Sequence, residues 1–150
     1  MDFNDADDWL WCDNQLPAIE AYVEAQQIPH GVICDTPEWF VAPYVGLWAV
    51  EDPTDRGFVG TWVLAGDVSG AQGQPVPFDH LPAADLAEPR DALAAFASRW
   101  ASLAAAAAKG EAWQGSPQLT GDVAAQAKQL ARQAQLLQVW VQDDEAWLED

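Results

Sequence analysis

The stretch that most limits how this chain can fold is residues 45–67, Val-Gly-Leu-Trp-Ala-Val-Glu-Asp-Pro-Thr-Asp-Arg-Gly-Phe-Val-Gly-Thr-Trp-Val-Leu-Ala-Gly-Asp. Two apolar runs, residues 45–50 and 58–65, are rich in β-branched and aromatic residues and are bounded by Gly, Pro and Asp. That composition marks two strands. The linker between them, residues 51–57, suits a hairpin loop: Pro53 presets φ, Asp52 and Asp55 can bond nearby backbone, and Gly57 tolerates a positive φ. Neither strand alternates cleanly. Trp48 and Val50 share one face while Leu47 and Ala49 take the other, and Trp62 and Leu64 likewise oppose Val63 and Ala65. A hairpin that is apolar on both faces has to be covered on both. The expected fold is therefore α+β, a small antiparallel sheet centred on the 45–65 hairpin and packed with three or four helices. With 150 residues the chain is long enough to bury such a core as a single globular domain over residues 1–150.

The remaining segments read as follows. Residues 5–27 predict a helix capped by Asn4 or Asp5, with Trp9, Cys12, Leu16, Ile19 and Val23 on one stripe. Pro17 either kinks it or sits in the first turn of a second helix capped by Asn14. Residues 32–34 suit a short strand, residues 36–38 a turn, and residues 39–44 an extended or irregular segment, since Pro43 is ill suited to a central strand. Residues 66–88, with Gly66, Gly70, Gly73, Pro75, Pro77 and Pro82, read as a long loop whose part 69–80 is expected to be the most mobile internal segment. A helix follows from Pro89, its stripe formed by Leu93, Phe96, Ala97, Trp100, Leu103 and Ala104, and it ends at Lys109-Gly110. Residues 111–121 form a linker holding Trp113. A last helix, capped by Asp122, carries Leu130, Ala134, Leu137 and Val141 on one stripe and glutamines on its other faces.

Charge narrows the function. The net charge is −18 and the pI about 4.1, so phosphate backbones and anionic lipid surfaces repel the chain; neither nucleic acid nor membrane is an expected partner. Ten of the 24 acids crowd the ends, at Asp2, Asp5, Asp7, Asp8 and Asp13 and at Asp143, Asp144, Glu145, Glu149 and Asp150. Acids suit the positive start of a helix, whereas those past the end of the last helix have no local structural reason in the sequence. The N-terminus has no basic residue and no long apolar run, so no signal peptide is expected. Cys12 and Cys34 make no disulfide framework, which fits a cytoplasmic protein with reduced thiols.

Few residues suggest chemistry. His30 and His80 are too few to make a metal site without more ligands at suitable spacing, and Asp143-Asp144-Glu145 lacks the alternating ligands and glycine of a calcium loop; no metal or cofactor is expected. Ser69 is out of register for a nucleophile elbow, and Gly66, Gly70 and Gly73 do not make a phosphate loop. Asp67, at a strand end, is the best acid/base candidate, with His80 and His30 behind it, although such an aspartate more often caps a turn or pairs with an arginine. Cys12 reads as a buried structural cysteine. Of the nine tryptophans, Trp113, Trp140 and Trp147 lie in polar surroundings, where an exposed tryptophan marks a binding surface.

A resemblance emerges from elements occurring in order: Trp11-Cys12, His30-Gly31, Val41-Ala42-Pro43-Tyr44-Val45, Leu47-Trp48-Ala49, Trp62-Val63, Gly66-Asp67, Pro89-Arg90-Asp91-Ala92, Phe96-Ala97 and Arg99-Trp100. The pattern resembles the bacterial family catalogued as Domain of Unknown Function 4826, over most of the chain. Pro17 and the Gly/Pro stretch around residues 69–77 depart from it. The family name implies no activity. From the residues alone, the expected function is a non-catalytic protein-binding module, for example of immunity or inhibitor type. It would meet a basic protein partner through Trp140, Asp143, Asp144, Glu145, Trp147 and Leu148. The competing expectations are a small enzyme or small-ligand binder using Asp67 and the 66–88 loop, and a structural homodimer.

Overall fold

The computed structural model describes residues 6–41, 44–66, 78–110 and 123–147. They form two compact units, Met1–Pro89 and Arg90–Asp150. In the first unit, helix α1 (Ala6–Ala25) accompanies strands β1 (Trp39–Val41), β2 (Val45–Glu51), β3 (Val59–Gly66) and β4 (Asp79–Pro82). The strands form one antiparallel sheet in the order β1-β2-β3-β4. Helices α2 (Pro89–Ala108) and α3 (Val123–Gln142) follow, then a one-turn 3-10 helix, Asp144–Trp147. The fold is α+β, as the two-faced hairpin requires.

That hairpin is β2 and β3. Trp48 lies opposite Val63, Gly46 opposite Ala65 and Val50 opposite Thr61, while Leu47 pairs with Leu64 and Ala49 with Trp62 across the other face. Both faces are buried: Trp48, Val50, Val63 and Ala65 on one, Leu47, Ala49, Trp62 and Leu64 on the other. α1 closes the first face, where Trp11, Cys12, Ile19 and Val23 form a single core with Trp48, Val50, Val63, Ala65 and Phe40 of β1. The ring of Trp48 folds back along its strand over Gly46, so closely that a Cβ there would collide with it. Removing an indole of this size from water is worth up to about 5 kcal/mol. Glu51 accepts hydrogen bonds from the N–H groups of Val32 and Gly57. Asp52 accepts them from the Thr54 N–H and hydroxyl and the Asp55 N–H. These bonds hold both carboxyls below their usual range. The hairpin loop uses Gly57 at a φ of 87°.

Of the two readings of Pro17 the single helix holds, and three other features depart from the sequence reading. α1 runs through Pro17; Pro17 is exposed, so water can reach the Asp13 carbonyl that the missing N–H leaves without its helical partner. Its inward stripe passes through Trp11, Cys12, Gln15, Ile19 and Val23, and Trp9 is 37 % exposed. The stripe is turned because Trp11 finds aromatic partners, Phe40 and Trp48, each at a centroid distance of 6.3 Å. Residues 32–34 make only an isolated bridge, Ile33 to Val50. Finally, the 66–88 segment is not all loop: β4 pairs with β3, placing Leu81 opposite Trp62 and His80 opposite Val63. Pro82, read as a loop signal, is tolerated because β4 is an edge strand and Pro82 is its last residue. Asp67 and residues 69–77 lie outside the described residues, as do Pro43, Trp113 and the proposed caps at Asn4, Asp5 and Asp122.

In the second unit the expected stripe of α2 is buried whole, at Leu93, Phe96, Ala97, Trp100, Leu103 and Ala104. Of the expected stripe of α3, Leu130, Ala134 and Leu137 are buried and Ala127 joins them, whereas Val141, in the last turn, is only half-buried. α2 begins at Pro89 and is followed by Gly110 at a φ of 76°. Among the described residues no helix is long and apolar enough to cross a membrane.

The two hairpin tryptophans differ in their polar handles, which sets an order of mutational cost. The Trp62 indole N–H donates to the Leu86 carbonyl at 2.8 Å, whereas that of Trp48 is buried with no hydrogen-bond partner among the described residues. Trp62→Ala and Trp48→Ala should each cost about 3–5 kcal/mol, but Trp62→Phe should cost about 1 kcal/mol more than Trp48→Phe. Urea melts of the four variants check both the magnitude and the order. Gly46→Ala should destabilise by about 1–3 kcal/mol, through overpacking against Trp48.

Candidate functional site

In the first unit, polar residues of α1 fasten the ends of β3 and β4. Gln15 is fully buried on the inward stripe, and its amide N–H donates to the carbonyl of Gly66, the last residue of β3. Two turns further along, the Tyr22 hydroxyl meets His80 Nδ1 at 2.8 Å, while the Tyr22 ring packs against His80 and Phe78 with centroids 5.7 Å from each. Strand register explains the meeting: His80 lies opposite Val63, on the sheet face that α1 covers. Asp79 alternates to the other face and is fully buried, its Oδ1 accepting the His80 backbone N–H at 2.9 Å. A hydroxyl and an imidazole thus meet at the start of β4 on the face that α1 covers, while the buried Asp79 carboxylate lies on the opposite face. The sequence marks His80 as a candidate but not its meeting with Tyr22, because residues 66–88 read as a loop; the signal for polar fastening by α1 is Gln15, three positions beyond Cys12 on the apolar stripe.

His30 is elsewhere. Its Nδ1 donates to the Gly31 carbonyl at 2.8 Å, and with Glu20, Glu24, Gly31 and Ile33 it lines a shallow recess of about 510 Å³. Ile33 bridges β2 at Val50, on the edge opposite β3, whereas His80 lies on β4 beyond β3. Three strand spacings of about 4.8 Å, roughly 14 Å, separate Ile33 from His80, and the recess that His30 lines does not include His80. Among the described residues no group of three or more His, Cys, Asp or Glu is placed to hold a metal. The cysteines are free. Burial, with Asp13 and Asp8 nearby, pushes the Cys12 thiol up to about 12, and burial with Glu38, Asp35 and Glu51 raises that of Cys34. Neither is an activated thiolate.

In the second unit, the acidic end of α3 has a local structural reason that the sequence did not disclose. Arg90, in the first turn of α2, donates from Nε to the Val141 carbonyl and from its terminal nitrogen to Asp144 Oδ1, each at 2.7 Å. The Trp147 indole N–H donates to the Trp140 carbonyl at 2.9 Å, and Asp143 Oδ1 accepts the Glu145 N–H at 3.2 Å. Two of the last carbonyls of α3 are therefore capped by side chains from elsewhere, a role usually taken by the helix's own last-turn cations, of which it has none. The acids serve the start of the next turn: Asp143 caps the 3-10 helix, and Asp144 neutralises a cation standing at the positive end of α2. Trp140 and Trp147 are half-buried, while Asp143, Asp144 and Glu145 are exposed. Leu148 lies outside the described residues.

Fold and sites together define a small acidic α+β protein with a Tyr–His pair at its strand ends and a capped acidic–aromatic turn after its last helix. The chain belongs to the family described as Domain of unknown function (DUF4826), which matches residues 5–147. No curated protein and no solved structure matches it.

Two measurements check this description. Tyr22→Phe should cost about 1 kcal/mol in a denaturant melt through the lost hydrogen bond to His80. Because the folded protein holds the Cys12 proton more tightly than the unfolded chain, whose thiol titrates near 9.0, the stabilisation is whole below pH 9.0 and is lost as pH rises towards 12. Wild type should therefore lose stability relative to Cys12→Ala between neutral pH and pH about 10.5.

Proposed function

We propose that this chain is a non-catalytic protein-binding module, acting in the cytoplasm, that meets a basic protein through the acidic–aromatic turn at the end of α3. Immunity or inhibitor proteins are one form such a module takes. The observation that carries the reading is the anchoring of the turn. Arg90 and the Trp147 indole hold it in one geometry, so little ordering entropy remains to be lost on binding. The exposed carboxylates of Asp143 and Glu145 stand next to two half-buried tryptophans, which pairs electrostatic attraction with an aromatic anchor.

The test begins with a pull-down by the full chain and by a truncation ending at Gln142. A partner that uses this turn should be lost or weakened at least about tenfold by the truncation, and its affinity should fall steeply with salt, mainly through the association rate. Arg90→Ala should weaken it too, because the turn is released. A partner held at full strength by the truncated chain would refute the reading.

A second reading rests on a different observation, the meeting of Tyr22 and His80 at the start of β4, with the buried carboxylate of Asp79 one residue earlier on the other sheet face. That is the kind of constellation a small-ligand binder or acid–base enzyme uses. Loss of function in His80→Ala that exceeds the loss in the similarly destabilised Tyr22→Phe, with an unchanged protein partner, would favour it.

A further inference from the structure

The outward face of α3 is divided by charge. Lys128 and Arg132, two of the chain's six basic residues, are exposed one turn apart. Leu136 and Val139 follow on the same face, 41 % and 62 % exposed, and Asp143 stands exposed just past the helix end. All lie opposite the buried stripe of Ala127, Leu130, Ala134 and Leu137. At 1.5 Å per residue, Lys128 and Asp143 are about 22 Å apart along the axis, too far to neutralise each other within one helix.

An antiparallel second copy of the same helix removes that separation. With a two-fold axis passing beside Gln135 and Leu136, Lys128 faces Asp143 of the second copy, Arg132 faces Val139, and each contact occurs twice. Leu136 and Val139 of both copies then share the centre of the contact. The aliphatic stem of Arg132 covers Val139 while its guanidinium reaches on towards the acidic turn. The two helix dipoles also run antiparallel. Beside this face, α2 and α3 enclose an apolar groove of about 890 Å³ in which Ala101, Ala105, Ala108 and Ala124 are exposed; small side chains there allow close approach along the flank of α3.

We propose that the outward face of α3 is a self-association surface on which a second copy of this chain docks antiparallel, pairing Lys128 with Asp143 around a Leu136/Val139 centre. The surface shares Asp143 with the acidic–aromatic turn but not Trp140 or Trp147, and its test, centred on Val139 and Lys128, needs no other protein. Chains of charge −18 repel one another at long range, so sedimentation velocity is run on the full chain at about 0.15 M salt, where the Debye length is about 8 Å. The expected result is a dimer that grows with concentration and is abolished by Val139→Asp. Lys128→Asp should raise the dissociation constant about tenfold, since the pair is lost at two symmetric places. Adding Asp143→Lys to it should restore association, which a merely structural defect would not do. All three positions are exposed and the one contact removed is the Asp143 cap on the Glu145 N–H, so melting curves should stay within about 1 kcal/mol of wild type. A wild type that remains monomeric throughout overturns the proposal. So does a dimer indifferent to Val139→Asp, or a double variant no better than Lys128→Asp alone.

Discussion

Everything in the first unit depends on burying a hairpin that is apolar on both faces. Trp48 on one face and Trp62 on the other are each almost wholly removed from water, and no two-stranded ribbon achieves that alone. The consequences run outward from this demand. The Trp48 ring needs Gly46 beneath it, since any Cβ would occupy the ring's place. It also needs α1 above it, and α1 is turned so that Trp11 rather than Trp9 faces inward, because Trp11 is the indole that reaches both Phe40 and Trp48.

The polar residues inside the first unit are placed where backbone ends or strand ends have to be held. Gln15 takes a position on an otherwise apolar stripe because the last residue of β3 presents a carbonyl to it. An unpaired amide there would cost more than an apolar side chain, so its burial is tied to that one acceptor. Tyr22 and His80 perform the corresponding task for β4. The gathering of titratable groups at these ends is thus both a structural fastening and the arrangement that any chemistry in this unit would draw upon.

Charge has a similar double role in the second unit. The acids after α3 are poorly placed with respect to that helix's dipole, yet the chain turns at once into a 3-10 helix whose start they cap, and Arg90 draws Asp144 to the positive end of α2. The exposed ion pair itself contributes little, about 0–1 kcal/mol. Its effect is to set the direction of the turn, and with it which carboxylates face outward.

The sequence by itself determined the elements whose information is local. The hairpin follows from two β-rich runs around a Pro/Asp/Gly loop, and its two-faced burial from the lack of alternation. α2 and α3 follow from apolar stripes at helical spacing, and the start of α2 from Pro89. Each remaining feature depends on a partner distant in sequence, and so arises only on folding. Asp79–Pro82 is too short and too broken by Pro82 to declare itself a strand; it becomes one because β3 offers an open edge to pair with. His80 becomes part of a site only when Tyr22, 58 positions earlier, is carried over it on α1. Arg90 caps the Val141 carbonyl, 51 positions later, only when α2 and α3 lie side by side. Hydrogen-bond capacity is written in each residue type, but which groups are left needing a partner is settled only when the backbone has been folded around them.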